Sequence, residues 1–204
     1  MRLILIRHAE AIANLQGINA VKDACRGLTQ QGIQQAEHLV ERLRASGELS
    51  DCQVFLTSPV PRARQTAAIL ASALPVKTCI EEVSLSEVNP SEAEGMTDQE
   101  ILEKYGDFYQ GGKPPGGENL ADFVSRVQTL LERLPDQYPD KTVVAVTHLG
   151  FLQATVAILF SLHDHDWAYT GITEIHWQDG QWQLVHQNDW THLQGAPKEN
   201  QSQD

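Results

Sequence analysis

This chain of 204 residues has few cysteines and little positive charge, and it has no long apolar run. Cys25, Cys52 and Cys79 are odd in number and far apart, with neither a Cys-x-x-Cys pair nor zinc-ribbon spacing. That excludes a disulfide scaffold and predicts reduced thiols in a cytoplasmic compartment. No stretch of about 18 apolar residues occurs, so no membrane span is expected. The apolar start Met1–Arg7 is too short for a signal peptide, and a histidine follows it in place of a small-residue cleavage site. Lys and Arg number 15 against 27 Asp and Glu, a net charge of -12, which argues against a nucleic-acid partner. It leaves room for a small anionic ligand, because a few arginines focus a local field even in an acidic protein. Gly111–Gly117 is glycine-rich but lacks the Gly-Lys-Ser/Thr of a phosphate loop.

What is present is the composition of one globular domain, 41% hydrophobic and 21% charged. A chain of this size buries roughly 70% of its unfolded surface without covalent staples. Residues 1–195 are read as a single domain, and 196–204, polar throughout after Pro197, as a disordered tail. Arg2–Arg7, Val54–Thr57, Val76–Ile80 and Thr142–Thr147 read as buried strands. Helices are predicted from a Thr29 cap to about Ala45, over Pro61–Ala73, over Asp98–Tyr105, from an Asn119 cap through Leu134, and over Gly150–Leu162. Ile172–Trp177 and Gln181–Val185 flank Asp179-Gly180, a hairpin turn signal. Strands alternating with helices predict an α/β fold, a three-layer α/β/α sandwich on a mostly parallel sheet with an antiparallel hairpin at one edge.

In such sheets ligands bind beyond the carboxyl ends of the strands. The first strand ends in Arg7-His8, the second in Ser58-Pro59 leading to Arg62, and the fourth in Thr147-His148. Two histidines and two arginines therefore converge on one edge. A neutral imidazole has a free lone pair near pH 7 and is a competent nucleophile. Guanidinium forks suit phosphate oxygens, and a protonated His148 would add a third cation. Attack of His8 on phosphorus would give a phosphohistidine, and one carboxyl group could serve as acid and then as base.

Arg7-His8-Ala9-Glu10 with Asn14, the block Ser58–Ala67, Gly116-Gly117-Glu118 and Val146-Thr147-His148 resemble, in order, the blocks of the histidine phosphatase superfamily, also called phosphoglycerate-mutase-like. The resemblance runs over residues 2–193. It implies that His8 is phosphorylated, that Arg7, Arg62 and His148 bind the transferred phosphate, and that Asn14 hydrogen-bonds it. The acid/base of this branch lies in a Leu-x-Glu segment after the third strand, which Leu85-Ser86-Glu87 matches, so Glu87 is the expected donor ahead of Glu81, Glu82, Glu92 and Glu94. No metal and no cofactor are implied. Three positions depart from the pattern. Ala9 stands where glycine is usual, Ala11 where a hydroxyl residue is frequent, and Leu149 where glycine is common; each is expected to crowd the pocket or shift its preference.

Other features are read more plainly. Arg64 is taken as a surface or ion-pairing residue, Glu10 as a residue that positions Arg7 or a loop, and Glu118 as a helix-start acid. His163-Asp164-His165-Asp166 lacks metallo-hydrolase spacing and reads as a polar loop. The four tryptophans are expected to pack around the hairpin, one of them a candidate to line the pocket. No cysteine is followed five residues later by arginine, which excludes a cysteine-based phosphatase. The expected activity is hydrolysis of a small-molecule phosphate ester, with no nucleic-acid or membrane partner and no signal for oligomeric state. A phosphoglycerate mutase and a non-catalytic phospho-ligand binding module are the alternatives. Mutases of the family hold a second anion with basic residues after the acid, whereas Val88–Asn119 contains only Lys104 and Lys113.

Overall fold

A computed structural model describes residues 1–163 and 166–194. The expected tail at 196–204 lies outside the described residues, as do Asp164 and His165. In chain order the elements are β1 (Arg2–Arg7), α1 (Ile12–Gln16), α2 (Gln30–Ser46), β2 (Val54–Thr57), α3 (Pro61–Leu70), β3 (Cys79–Glu81), α4 (Asp98–Tyr105), α5 (Leu120–Gln137), β4 (Thr142–Thr147), α6 (Leu149–Phe160), β5 (Ile172–Gln178) and β6 (Gln181–Asp189).

Successive side chains of a strand point to opposite faces, and both faces of β1 are apolar. Leu3 and Leu5 pack with α5 and α6 through Val127, Leu130, Leu134, Phe151 and Leu152. Ile4 and Ile6 pack with α2 and α3 through Leu39, Leu43, Ala63, Ala67 and Leu70. These two clusters make the three-layer sandwich. The sheet order is β3-β2-β4-β1-β5-β6, parallel from β3 to β1 and antiparallel from β1 to β6. The β5–β6 turn places Asp179 at φ 52° and Gly180 at φ 77°, the left-handed pair of a tight hairpin. No helix among the described residues is long and apolar enough to cross a membrane.

Boundaries differ from expectation at several ends. The third strand is Cys79–Glu81 rather than Val76–Ile80, because Lys77 reaches back to donate to the Ala71 and Leu74 carbonyls. Helix α3 stops at Leu70, since Ser72 and Ala73 bond three residues back and tighten the chain into a turn. Helix α6 runs Leu149–Phe160 and ends at Ser161 in the left-handed conformation. Strand β6 continues to Asp189, past the expected Val185. The short helix α1, unforeseen, is held by Asn14 Oδ1 accepting from Ala11 N at 3.0 Å and closed by Gly17 at φ 64°.

The loop after β1 is clamped onto α2. Thr29 caps α2 by accepting from Gly32 N, and its hydroxyl donates to Glu10 Oε1 at 2.7 Å. A Cβ on Gly32 would lie 2.0 Å from the Glu10 carbonyl oxygen. Gly32→Ala is therefore expected to cost about 3 kcal/mol through backbone overlap, a fall of about 6–12 °C in Tm for a domain of this size. Thermal unfolding checks it, and an unchanged Tm would show that this contact is not tight.

Candidate active site

Strand register brings the two histidines together. Arg7 is the partner of Thr147 across the parallel β1–β4 pair, so His8 and His148 leave neighbouring strands at the same level, with His8 N donating to Thr147 O at 2.9 Å. Their ring centroids are 5.0 Å apart at 58°. On the other side of β4, Ser58 follows β2, and its hydroxyl lies 2.8 Å from His148 Nε2. His8, His148, Ser58, Arg7 and Arg62 are all buried.

Arg62 projects from the first turn of α3, which Pro61 opens. Its Nε donates to His8 Nε2 at 3.0 Å. Guanidinium nitrogens only donate, so His8 Nε2 carries the lone pair and Nδ1 carries the proton, which goes to the Ala9 carbonyl at 2.8 Å. Arg62 Nη1 donates to Ala20 O. Thr66, one turn along, donates to Arg62 O and accepts from Ala9 N, tying α3 to the backbone after His8. Arg7 lies over the Tyr169 ring at 4.1 Å and donates through Nη1 to Trp167 O. Among the described residues its Nε, which is buried, has no hydrogen-bond partner, and neither has His148 Nδ1.

Glu87 approaches from the opposite wall. Its carboxylate accepts from Gly150 N and Val88 N, each at 3.1 Å, and so sits at the N-terminus of α6. A Cβ on Gly150 would fall 2.3 Å from Glu87 Oε1, so only glycine leaves the carboxylate room. The segment carrying Glu87 is strapped down from beneath. Arg126 on α5 donates to the carbonyls of Ser84, Ser86 and Glu87, and pairs through both Nε and Nη2 with Glu118, whose carboxylate also accepts from Asn89 N. Thr147 donates to Leu85 O at 2.7 Å.

Arg7, His8, Asn14, Arg62 and Glu87 line one end of a cavity of about 1280 Å³; His148 stands behind this wall, in contact with His8 and Ser58. With Asn14 Oδ1 occupied by Ala11 N, any bond from Asn14 to an anion must come from its Nδ2 donor. The other candidate donors, Glu81, Glu82, Glu92 and Glu94, do not line the cavity. Glu81 pairs with Arg64, Glu82 with Arg133, and Glu94 holds the backbone N–H groups of Val21, Lys22 and Ala24.

Three expectations are corrected. The methyl groups of Ala9 and Ala11 pack with Leu28 and Ala36 and do not line the cavity, whereas Leu149 does. No tryptophan lines it; Trp177 stacks edge-on with Trp182, and Trp167 is buried with its carbonyl on Arg7. The third cation expected at a protonated His148 is disfavoured in this state. Burial, followed by Arg62 and by His8, pushes its pKa well below the ordinary histidine value, and burial with Arg62 does the same to His8. Ser58, Arg126 and Gly150 enter the site without a role expected for them from the sequence. Ser58 carried a signal as the end of the second strand and the start of the Ser58–Ala67 block, and Gly150 as a glycine directly after His148-Leu149, whereas Arg126 carried none.

A profile of the histidine phosphatase superfamily (branch 1) matches residues 3–190. Phosphoserine phosphatase 1 of Hydrogenobacter thermophilus is 32% identical over 170 residues, covering 79% of this chain and 77% of that protein. A 2,3-bisphosphoglycerate-dependent phosphoglycerate mutase of Methylobacterium sp. is 30% identical over 172 residues, covering 78% and 81%. Among solved structures, a phosphoserine phosphatase mutant from Entamoeba histolytica, in complex with phosphoserine, superposes with a TM-score of 0.75 at 27% identity, over 94% of this chain and 98% of that one.

Neutral buried histidines leave a mark on stability. Each ring takes up a proton in the unfolded chain below about pH 6.5 but not in the folded one, so stability is full above that pH and falls as the pH drops toward the lowered folded value. Between pH 6.5 and 5 each ring is expected to contribute a slope of up to about 1.4 kcal/mol per pH unit. Urea unfolding across this range should show a shallower slope for His148→Gln than for the parent; equal slopes would overturn the neutral assignment.

Proposed function

This chain belongs to the histidine phosphatase superfamily, and from that footing we propose that it hydrolyses a small phosphomonoester through a phosphohistidine on His8. The observation that carries the reading is the locked tautomer of His8, with its Nε2 lone pair held at the cavity wall by Arg62. The ester phosphate enters between Arg62 and Arg7, and Arg62 exchanges His8 for a phosphate oxygen. His8 Nε2 then attacks phosphorus in line. The N–P bond forms as the P–O bond to the alcohol breaks, and Glu87 gives its proton to the departing oxygen. Glu87, now a carboxylate, takes a proton from the water that attacks the phosphohistidine, which restores His8 and releases inorganic phosphate. Arg7, Arg62, Asn14 and His148 stabilise charge on the equatorial oxygens.

The 30% identity to a mutase makes isomerisation the competing reading. A mutase must retain a bisphosphate by its second anion. Arg7 and Arg62 are the only arginines or lysines that line the cavity among the described residues, and both stand at the His8 end. Lys113 is paired with Asp122 and Lys104 lies over Tyr105, neither at the cavity. This supports hydrolysis. The domain spans residues 1–195, a reading supported by one sheet that draws strands from Arg2 to Asp189. Cys25, Cys52 and Cys79 are free, which supports a reducing, cytoplasmic compartment.

Hydrolysis of p-nitrophenyl phosphate without added metal, abolished in His8→Ala, is the expected result; retained activity would remove His8 from the mechanism, and an inactive parent would leave a phospho-ligand binding module. Bisphosphoglycerate-dependent isomerisation outrunning hydrolysis would turn the reading to a mutase. Glu87→Gln should still transfer phosphate to His8 from an aryl ester, yet lose about 10²–10⁴-fold on an alkyl ester, whose leaving group needs the proton. Equal losses on both esters would reassign the acid.

A further inference from the structure

The cavity is larger than a phosphate end requires, and its remaining walls differ in kind from that end. At about 1280 Å³ it exceeds the roughly 300–1,000 Å³ usual for small-molecule sites. Beyond Glu87 its walls are Leu102 from α4, Phe108 from the turn that follows, Phe123 from α5, and Leu149, Ala157 and Ile158 from α6. Leu102 is 48% exposed and Tyr109, beside Phe108, is 77% exposed, so large apolar groups face solvent where a ligand would cover them.

Apart from Glu87, the acidic side chains that line the cavity are Asp98, Asp107 and Glu118, and its only lining arginines or lysines among the described residues are Arg7 and Arg62. Asp98 accepts from Asn19 Nδ2 at 2.7 Å, and Asp107 accepts from Tyr109 N and Gln110 Nε2. Glu118 is neutralised by Arg126. Asn19, Asn89, Gln153 and His163 add uncharged or titratable polar groups to the cavity lining. A carboxylate or second phosphate on the alcohol side would meet Asp98 and Asp107 with no fixed cation to offset them, and would be stripped of water against hydrocarbon. An alkyl or aryl group would gain from the same walls.

We propose that this arm of the cavity recognises the alcohol part of the substrate as an extended apolar body without a second negative charge. The proposal rests on the hydrolase reading only for the identity of the ester; the binding preference follows from the walls themselves. It sets this chain apart from its phosphoserine- and phosphoglycerate-named relatives, because both of those ligands place a carboxylate near the phosphate.

The test uses two series on the intact protein. Dissociation constants of n-alkylphosphonates from methyl to octyl, non-hydrolysable probes, are expected to tighten with length by about fourfold per buried methylene until the arm is filled. The kcat/KM of n-alkyl phosphates should climb in parallel, and hexyl phosphate should exceed phosphoserine and 3-phosphoglycerate by 100-fold or more. Leu102→Glu, at an exposed helix position that tolerates polarity, should reduce the octyl-to-ethyl ratio at least tenfold. Length-dependent phosphonate binding without hydrolysis of any ester supports the apolar site and removes the phosphatase reading. Affinities flat with length, or tighter binding of phosphoserine or 3-phosphoglycerate than of hexylphosphonate, overturn the inference whatever the catalysis.

Discussion

A guanidinium nitrogen can only donate, and from that one restriction much of the site follows. Arg62 Nε lies 3.0 Å from His8 Nε2, so that nitrogen must present its lone pair, and the ring proton must lie on Nδ1 against Ala9 O. The proposed nucleophile is thereby oriented, but it is also occupied. An entering phosphate has to draw Arg62 away from His8 to use both, which makes anion binding and release of the lone pair a single event. Water, which carries no charge to compete for the guanidinium, has no such leverage. The surrounding bonds keep that exchange small, since Thr66 and Ala20 O hold the α3 turn and the guanidinium in place.

The opposing carboxylate depends on a different device. Glu87 belongs to an irregular segment, and irregular backbone has no ladder to position it. Here Arg126 replaces the ladder, meeting three consecutive-region carbonyls with one side chain while Glu118 neutralises its charge. The pair is partly buried, where such a bond matters more for fixing geometry than for net stability. Gly150 then supplies both the N–H that the carboxylate accepts and the empty space it fills. Loop position, helix terminus and missing side chain must agree for Glu87 to stand at the cavity.

How far this could be read in advance depended on what the signal was made of. Strands β1 and β4 are covered on both faces, so their aliphatic runs stood out, and their ends carried Arg7-His8 and Thr147-His148 to one edge. Helices α2 and α5 announced themselves by a cap and an apolar stripe. Helix α1 has no stripe, being held by Asn14 and Gly17, and β3 lost its start to a lysine folding back on a helix end. Ala9 illustrates a different limit. Its identity was plain, but the direction of its methyl depends on backbone angles that only the folded chain reveals, and it turns into an apolar cluster with Ala36. Arg126 looked like any helix arginine, since nothing local marks a side chain whose partners lie some forty residues away.

An acidic chain that binds anions has to solve a problem of placement rather than of totals. The net charge is -12, yet the described site brings together two buried guanidinium groups, whose field is less screened than that of exposed charges. Burial first, and then Arg62 and Arg7, lower the proton affinity of both imidazoles. In the proposed mechanism, a dianion seated between Arg7 and Arg62 brings negative charge toward His148 behind the wall and raises its affinity for a proton. On that reading the empty site favours a neutral His8, and the filled one favours proton uptake by His148. Among the described residues Arg7 Nε and His148 Nδ1 are buried polar groups without a hydrogen-bond partner, a standing cost to stability at a site pre-organised before any ligand enters.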